Sequence, residues 1–534
     1  MSNEQKHVLR VALIASPYPL EEAPAPPLGI SYVASACEAS GAIVKIFDYI
    51  VRKYSEEKLK KEIGDFCPDV IGTGSVTLNF PKAANIIRTA KKLFPDAVTM
   101  MGGPHVSFDI KNTLTKYPEI DMILVGEAED TLKELLPVIK NKEKWKNING
   151  IAFFDNGSLI QTPKRELICD LDSLPLPARH LLPMSKYQAL GYPISIITSR
   201  GCPYKCIFCL GRKMVGAKVR YRNPKLVADE IEHILSYGIN RINVADDLFT
   251  SNKERVHALC NEIKDRNLKF HWSAFARVNT VDKEVLKLMK DTGCDSICFG
   301  IESGDSEMLK RIKKGITVEQ IKRAISISKE VGITAFASFI IGLPGETHES
   351  LKNTKEVAES LDTAYGYHML APFPGTTVRE EIKNFDLEIL TDEWELYDAN
   401  RPIVRTSQIG PQDMEEFISD LVDFHKKKWD ILVEQYKNDT CNKEDYLIIE
   451  GFHRTQLIFK LLSEDLIEDY GYFEEEGEPT SLLLNKMSEL IDMEKPFIDR
   501  TIVSLISANY LKYEKKGNGI KWFWKHNKHV DHLE

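Results

Sequence analysis

Apolar residues along this chain follow two alternating rhythms. Short β-rich runs at residues 8–16, 42–48, 69–74, 97–101 and 121–125 are separated or followed by helix-spaced segments near 29–40, 55–65, 80–94 and 129–138. Strands that read as near-continuous apolar runs suit burial on both faces, so this half predicts a mostly parallel sheet covered by helices. A second unit starts at residue 193, with strands predicted at 194–199, 239–245, 269–275, 295–300, 333–340 and 364–370. Helices are predicted near 225–236, 251–265, 281–291, 305–312, 317–330 and 347–360. About six strand–helix repeats predict an incomplete (β/α) barrel whose chemistry sits at its C-terminal loops.

Residues 142–190, with Gly150, Asn156, Gly157 and the proline-rich LDSLPLPAR, read as a connector with room for a small antiparallel extension. Beyond about 400 the pattern changes to helices and connectors, interrupted by the acidic run FEEEGEP at 473–479. The fold class is therefore α/β: a Rossmann-like parallel sheet over 1–141, the connector over 142–190, a partial (β/α)6 barrel over 191–400, and a mainly helical substrate or cap region over 401–534.

A chain of 534 residues is long enough for two or three domains. Its formal charge of -9 gives no support to nucleic acid as the main ligand. The start MSNEQKHVLRVALIASPYP lacks the features of an export signal and no apolar run reaches membrane-spanning length, so a cytoplasmic enzyme is expected. Surface association with a membrane stays open.

The loops at the carboxyl ends of the first set of strands are rich in glycine and proline: APAPPLG at 23–29, GTGSVT at 72–77, MGGPHV at 101–106 and GEAED at 126–130. Each alone is an ordinary turn composition. Four at one edge point to a large planar or multi-contact ligand, since ligands of such sheets bind there.

Of the ten cysteines, only Cys202, Cys206 and Cys209 are dense enough to suggest a metal. They stand in RGCPYKCIFC directly after the first strand of the second unit. Three thiolates can hold three corners of an iron–sulfur cubane and leave the fourth open. Structural zinc is the alternative, but it wants four closed ligands and no fourth cysteine or histidine is near.

CxxxCxxC after a first barrel strand resembles the radical S-adenosylmethionine (SAM) superfamily. That resemblance implies a [4Fe-4S] cluster whose open iron is chelated by SAM, and reductive cleavage of SAM to a 5′-deoxyadenosyl radical. An external one-electron reductant such as ferredoxin or flavodoxin is then a partner. It implies SAM contacts at Phe208, at Asp246 or Asp247 in ADDLF, and at Glu302 in GIESG. Arg277 and Arg311 are candidates for the SAM carboxylate, and Ser338, before IIGLPGE, for the pocket wall. Helix capping for the aspartates, cluster shielding for Phe208 and ordinary salt bridges for the arginines are the competing roles.

The N-terminal half is similar to the cobalamin-binding domain that precedes the barrel in the cobalamin-dependent branch of that family, through SPYP, PPLGISYVA, GSVTLNFP, GGPHVSF and VGEAED. With ADDLF, GIESG, GLPGE and APFPGT, the resemblance covers about residues 8–380. It implies cobalamin bordered by Pro27, Leu28, Gly29, Ser75, Thr77, Gly103, Pro104, His105 and Gly126. The chain has no D-x-H-x-x-G stretch to supply a lower cobalt ligand.

The activity implied is C-methylation of an unactivated carbon through methylcobalamin; the substrate, whether small molecule, lipid or protein, is not legible. A cyclase or oxidative rearrangement enzyme similar to the anaerobic tetrapyrrole ring cyclases is the alternative. Methylthiolation would call for another cysteine trio, while Cys37 and Cys67 are isolated. A metal-stabilised binding protein is the non-enzymatic alternative.

Overall fold

A computed structural model describes residues 7–18, 24–474 and 477–525. Pro19 of SPYP, Ala23 of APAPPLG, and Glu475 and Glu476 of the acidic run lie outside the described residues. The first sheet contains β1 (Arg10–Ala15), β2 (Ile43–Asp48), β3 (Val70–Gly74), β4 (Val98–Gly102), β5 (Met122–Leu124), β6 (Ile151–Asp155) and β7 (Ser158–Gln161). Along β1, Val11 and Leu13 enter one core and Ala12 and Ile14 another, which is why its sequence is an unbroken apolar run.

The strand order is β2-β1-β3-β4-β5-β6-β7. The first five strands are parallel, while β6 and β7, drawn from the connector, add antiparallel to the same sheet. The chain leaves β1 for one side and returns to β3 on the other. A crevice must open at the carboxyl ends of those two strands, where the winding reverses.

The connector then gives the helix Met184–Leu190 and leads into β8 (Ile194–Ile196). A short hairpin of β9 (Ser199–Arg200) and β10 (Arg220–Tyr221) brackets the cysteine loop. The second main sheet adds β11 (Arg241–Val244), β12 (His271–Ala276), β13 (Cys294–Glu302), β14 (Thr334–Ile341) and β15 (Ala364–Met369) to β8. All its pairings are parallel, in the order β15-β14-β13-β12-β11-β8, so β8 and β15 are the two edges of a six-stranded partial barrel. Side chains cap the covering helices where they start: Asn252, Asp282, Asp305, Thr317 and Thr347 each accept a bond from a backbone N–H of the first turn.

After the barrel come a small pair, β16 (Glu388–Ile389) and β17 (Val404–Arg405), and the long helices Pro411–Lys437 and Lys443–Ser463. The C-terminal region is mostly helical, as its pattern predicts, but it also holds a three-stranded antiparallel sheet that the sequence reading passed over. The strands are β18 (Tyr472–Phe473), β19 (Leu511–Lys516) and β20 (Gly519–Trp524), with β20 in the centre. Gly517, at φ 61°, makes the hairpin turn between β19 and β20.

This bundle docks on the connector and the first domain. Asp465 accepts from Lys58 Nζ at 2.5 Å, Lys186 pairs with Glu468 at 2.6 Å, and Arg454 donates to the Ala189 carbonyl at 3.0 Å. Among the described residues no helix is long and apolar enough to cross a membrane.

Candidate active site

The cysteine loop is held in place at several points. Cys202 N–H donates to the Gly216 carbonyl at 3.0 Å, Ile207 N–H to Ile312 at 3.2 Å, and Val378 N–H to Ile207 at 3.0 Å. Gly201 has φ 114°, and a Cβ there would meet the Lys218 carbonyl oxygen at 2.4 Å, so only glycine fits before the first cysteine. Burial raises the Cys202 thiol and pushes Cys209 up to about 11; iron takes such groups as thiolates, so cluster binding releases their protons. Among the described residues no three His, Cys, Asp or Glu side chains converge as ligands of a single ion. A cubane has separate iron atoms at its corners and does not ask three thiols to converge.

Around this loop the barrel gathers most of the residues marked out for SAM. Arg277 places its guanidinium 3.5 Å from the centre of the Tyr204 ring and its Nη1 3.7 Å from Cys206 Sγ, and donates through Nη2 to the Lys314 carbonyl. Lys314 Nζ in turn pairs with Glu302 Oε1 at 2.6 Å and stands 5.9 Å from the ring centre of Phe208. Glu302 has φ 71°, an unfavourable backbone for a side-chain-bearing residue, held where β13 breaks register with β14. A Cβ on Gly300 would meet Glu302 Oε1 at 2.6 Å and Lys314 Nζ at 3.2 Å, so a side chain there would have to shift that pair. Ser338 lies beside Gly300 on one side and Gly366 on the other in the strand register, so this level of the sheet carries only small side chains.

Other positions are committed elsewhere. Asp246 accepts from Thr198 N–H at 2.6 Å, Thr198 Oγ1 at 2.5 Å and Ser199 Oγ at 2.6 Å, tying β11 to the end of β8. Asp247 accepts from Gly201 N–H at 3.2 Å and from its own backbone N–H, and its carboxyl, raised by burial, faces the cleft described below. Arg311 donates to the carbonyls of Pro344 and Gly345, so it braces the GLPGE turn. Glu346 of that turn is buried, accepts from Leu343 N–H at 3.3 Å and from Gly342 N–H, and is pushed up to about 8 by burial.

A cleft of about 530 Å³ opens at the reversal point of the first sheet. It is lined by Pro27, Leu28, Gly29, Ser75, Gly103, Pro104 and Gly126, seven of the nine positions marked out for cobalamin. A Cβ on Gly103 would meet the Ser75 carbonyl at 2.4 Å, whereas Cβ atoms on Gly29 and Gly126 would meet nothing within 4 Å. The buried Ser75 Oγ has no hydrogen-bond partner among the described residues, the state expected of a hydroxyl kept for a ligand.

Thr77 and His105 depart from the expectation, because neither lines the cleft. Gly103 turns the chain into the helix Pro104–Phe108, which carries His105 inward onto Phe80, with ring centres 4.0 Å apart. Thr77 Oγ1 follows it, 3.3 Å from His105 Nδ1.

The same cleft is closed by the barrel: Ser199, Arg200, Met214, Val215, Ala245 and Asp247 line it. Sequence reading missed the clamp that holds the two halves together. Arg200, two residues before Cys202, donates to Glu127 at 2.9 Å and to Glu129 at 2.7 Å; Arg220 binds Glu127 through two further bonds of 2.9 Å. These arginines hold the Glu127 carboxyl below its ordinary value despite burial. Both glutamates stand in the GEAED loop, yet nothing local says which acids will meet an arginine 71 or 73 residues away. Lys314, inside KRIKKG, was hidden by looking like a solvated charge run.

A parallel sheet with a ligand cleft at its reversal point, closed by a cysteine-bearing partial barrel, defines a protein of two cofactor-binding domains. Residues 196–358 match the model of the Radical SAM superfamily and residues 22–136 that of the B12 binding domain. A Pyrococcus horikoshii protein described as an uncharacterized methyltransferase is 36% identical over 396 residues, covering 74% of this chain and 86% of the relative. The anaerobic magnesium-protoporphyrin IX monomethyl ester cyclase of Rubrivivax gelatinosus is 30% identical over 392 residues, covering 71% of this chain and 70% of the relative.

Among solved structures, the methyltransferase TsrM from Kitasatospora setae superposes with TM-score 0.64 at 19% identity, covering 78% of this chain and 88% of that one. OxsB with aqua-cobalamin and SAM bound gives TM-score 0.66 at 18% identity, covering 94% and 84%. The chain belongs to the cobalamin-binding radical SAM enzyme family, and its architecture is that of a protein binding cobalamin, SAM and a [4Fe-4S] cluster.

Proposed function

We propose that this enzyme is a cobalamin-dependent radical SAM C-methyltransferase. The observation that carries the reading is the single cleft lined by both halves, with Ser75 and Gly103 on one wall and Ser199 and Asp247 on the other. When bound, the cluster and SAM supply a carbon-centred radical and methylcobalamin supplies the methyl group.

Cys202, Cys206 and Cys209 hold the cluster. Asp247, whose carboxyl has an acceptor position to spare, takes the ammonium of SAM, and Arg277, Glu302 and Lys314 flank its polar end, with Phe208 beside them and Ser338 below. Pro27, Leu28, Gly29, Ser75, Gly103, Pro104 and Gly126 border the corrin. Asp246 is a positioning residue for the strand end that carries Ser199. The buried Arg200–Glu127–Glu129 clamp keeps the two cofactor beds in register, because reacting groups must be held within near-contact distance. The enzyme works in the cytoplasm with an external one-electron reductant.

Cyclisation is the second reading, favoured by the likeness to the Rubrivivax cyclase. The test is anaerobic reconstitution with methyl-labelled SAM and a cell extract as substrate source, followed by mass spectrometry. Methyl transfer predicts labelled product with both S-adenosylhomocysteine and 5′-deoxyadenosine formed. Unlabelled product with 5′-deoxyadenosine alone rejects it for cyclisation. Any Cys202, Cys206 or Cys209→Ala variant is expected to lose cluster iron and 5′-deoxyadenosine together.

A further inference from the structure

The stretch from residue 173 to residue 228, which carries the cysteine motif, contains ten Lys and Arg residues and no Asp or Glu, in a chain of formal charge -9. The fold sorts these ten into two sets. Arg179, Lys186, Arg200, Arg220 and Arg222 are buried, and each is paired with a glutamate. Lys205, Arg212, Lys213, Lys218 and Lys225 stay at or near the surface.

Four of the second set ring the cluster loop. Lys205 is exposed between Cys202 and Cys206, and Arg212 donates to the carbonyl of Pro203. Lys213 follows, its charge partly met by Glu380. The exposed Lys218 has its backbone pressed against Gly201. Pro203 is exposed as well, so this end of the loop reaches the surface.

We propose that this collar, Lys205, Arg212, Lys213 and Lys218, is the docking surface for an acidic one-electron carrier protein that reduces the cluster. The inference rests on the proposed function, in which each radical-forming event consumes one electron. The reduced carrier gives up that electron and the cluster takes it; no bond or proton changes hands. A net-negative body repels an acidic protein over most of its surface, so a local cationic ring singles out one approach, and such complementarity acts mainly on the encounter rate. A compact ring around one loop suits a small protein face better than a phosphate backbone, which calls for a stripe of cations.

The test uses the anaerobically reconstituted holoenzyme, a reduced acidic ferredoxin as probe, and the K205E/K218E variant. Affinity for ferredoxin, measured by titration, and ferredoxin-driven 5′-deoxyadenosine formation are each expected to fall about tenfold or more at low ionic strength. The difference should shrink at high salt. Dithionite-driven 5′-deoxyadenosine formation and cobalamin content should match the natural enzyme, and K205R/K218R should restore ferredoxin binding.

Equal ferredoxin affinity and rate in K205E/K218E would overturn the docking surface, as would a loss of transfer RNA binding in place of ferredoxin binding. Failure of dithionite to drive SAM cleavage in the natural enzyme would instead sink the proposed function, and the ferredoxin titration would still decide the collar.

Discussion

His105 shows how one side chain can share a motif with a site and yet serve the core. Burial first, and then the Arg379 charge, hold its imidazole at about 3, against an ordinary 6.5. The unfolded chain takes up a proton there near 6.5, while the folded chain stays neutral until about 3. The stabilisation is therefore complete above pH 6.5 and is lost as pH falls from there toward 3. A His105→Gln variant should show a smaller drop in urea midpoint between about pH 7 and pH 5 than the natural chain. Its cobalamin affinity, measured by spectral titration, should be unchanged. A tenfold loss of affinity would return His105 to the ligand site.

At the scale of elements, the periodicity of apolar residues was sufficient to place the five parallel strands of the first sheet and the six of the barrel, because a buried strand tolerates few polar residues. Loop motifs were legible as motifs but not as directions. GGPHV marks the end of β4 correctly, and only the turn at Gly103 decides that Pro104 faces the cleft and His105 the core. Two glycines of the same cleft therefore differ. Gly103→Ala drives a Cβ to 2.4 Å from the Ser75 carbonyl at φ 105°, and should cost at least about 2 kcal/mol in chemical denaturation and abolish cobalamin binding. Gly126→Ala meets open space at φ 78° and should cost about 1 kcal/mol while weakening cobalamin binding only through the methyl group it adds to the cleft. Equal stability of the two variants would contradict the close approach at Gly103.

For the whole molecule, the clamp of Arg200 and Arg220 on Glu127 and Glu129 joins the two cofactor domains through side chains that are all nearly buried. Removing one partner of a buried pair leaves an uncompensated charge, which costs about 3–5 kcal/mol. Arg200→Met should lower stability by that order and speed amide exchange in residues 126–130 and 199–216 together. Exchange confined to one of the two segments would show that the clamp does not couple them. Among the described residues the C-terminal bundle contributes no lining residue to the cleft. It packs on the connector and on Lys58, while the start of the same region packs on the barrel: the Phe417 ring stands 4.9 Å from that of Tyr367, and Met414 shares a core with Ile207 of the cysteine loop.

What the amino-acid sequence determined by itself was local: which runs bury both faces, which loops need glycine, and where three thiols stand close enough along the chain to share one cluster. These follow from period, backbone freedom and donor chemistry, which act over a few residues. Tertiary structure alone decided which carboxyls meet Arg200, that Lys314 leaves a lysine-rich run to pair with Glu302, and that Thr77 and His105 turn away from the cleft. Each of those outcomes depends on charges or rings brought together across tens of residues, where burial makes an unpaired partner too costly to leave and no local pattern names the mate.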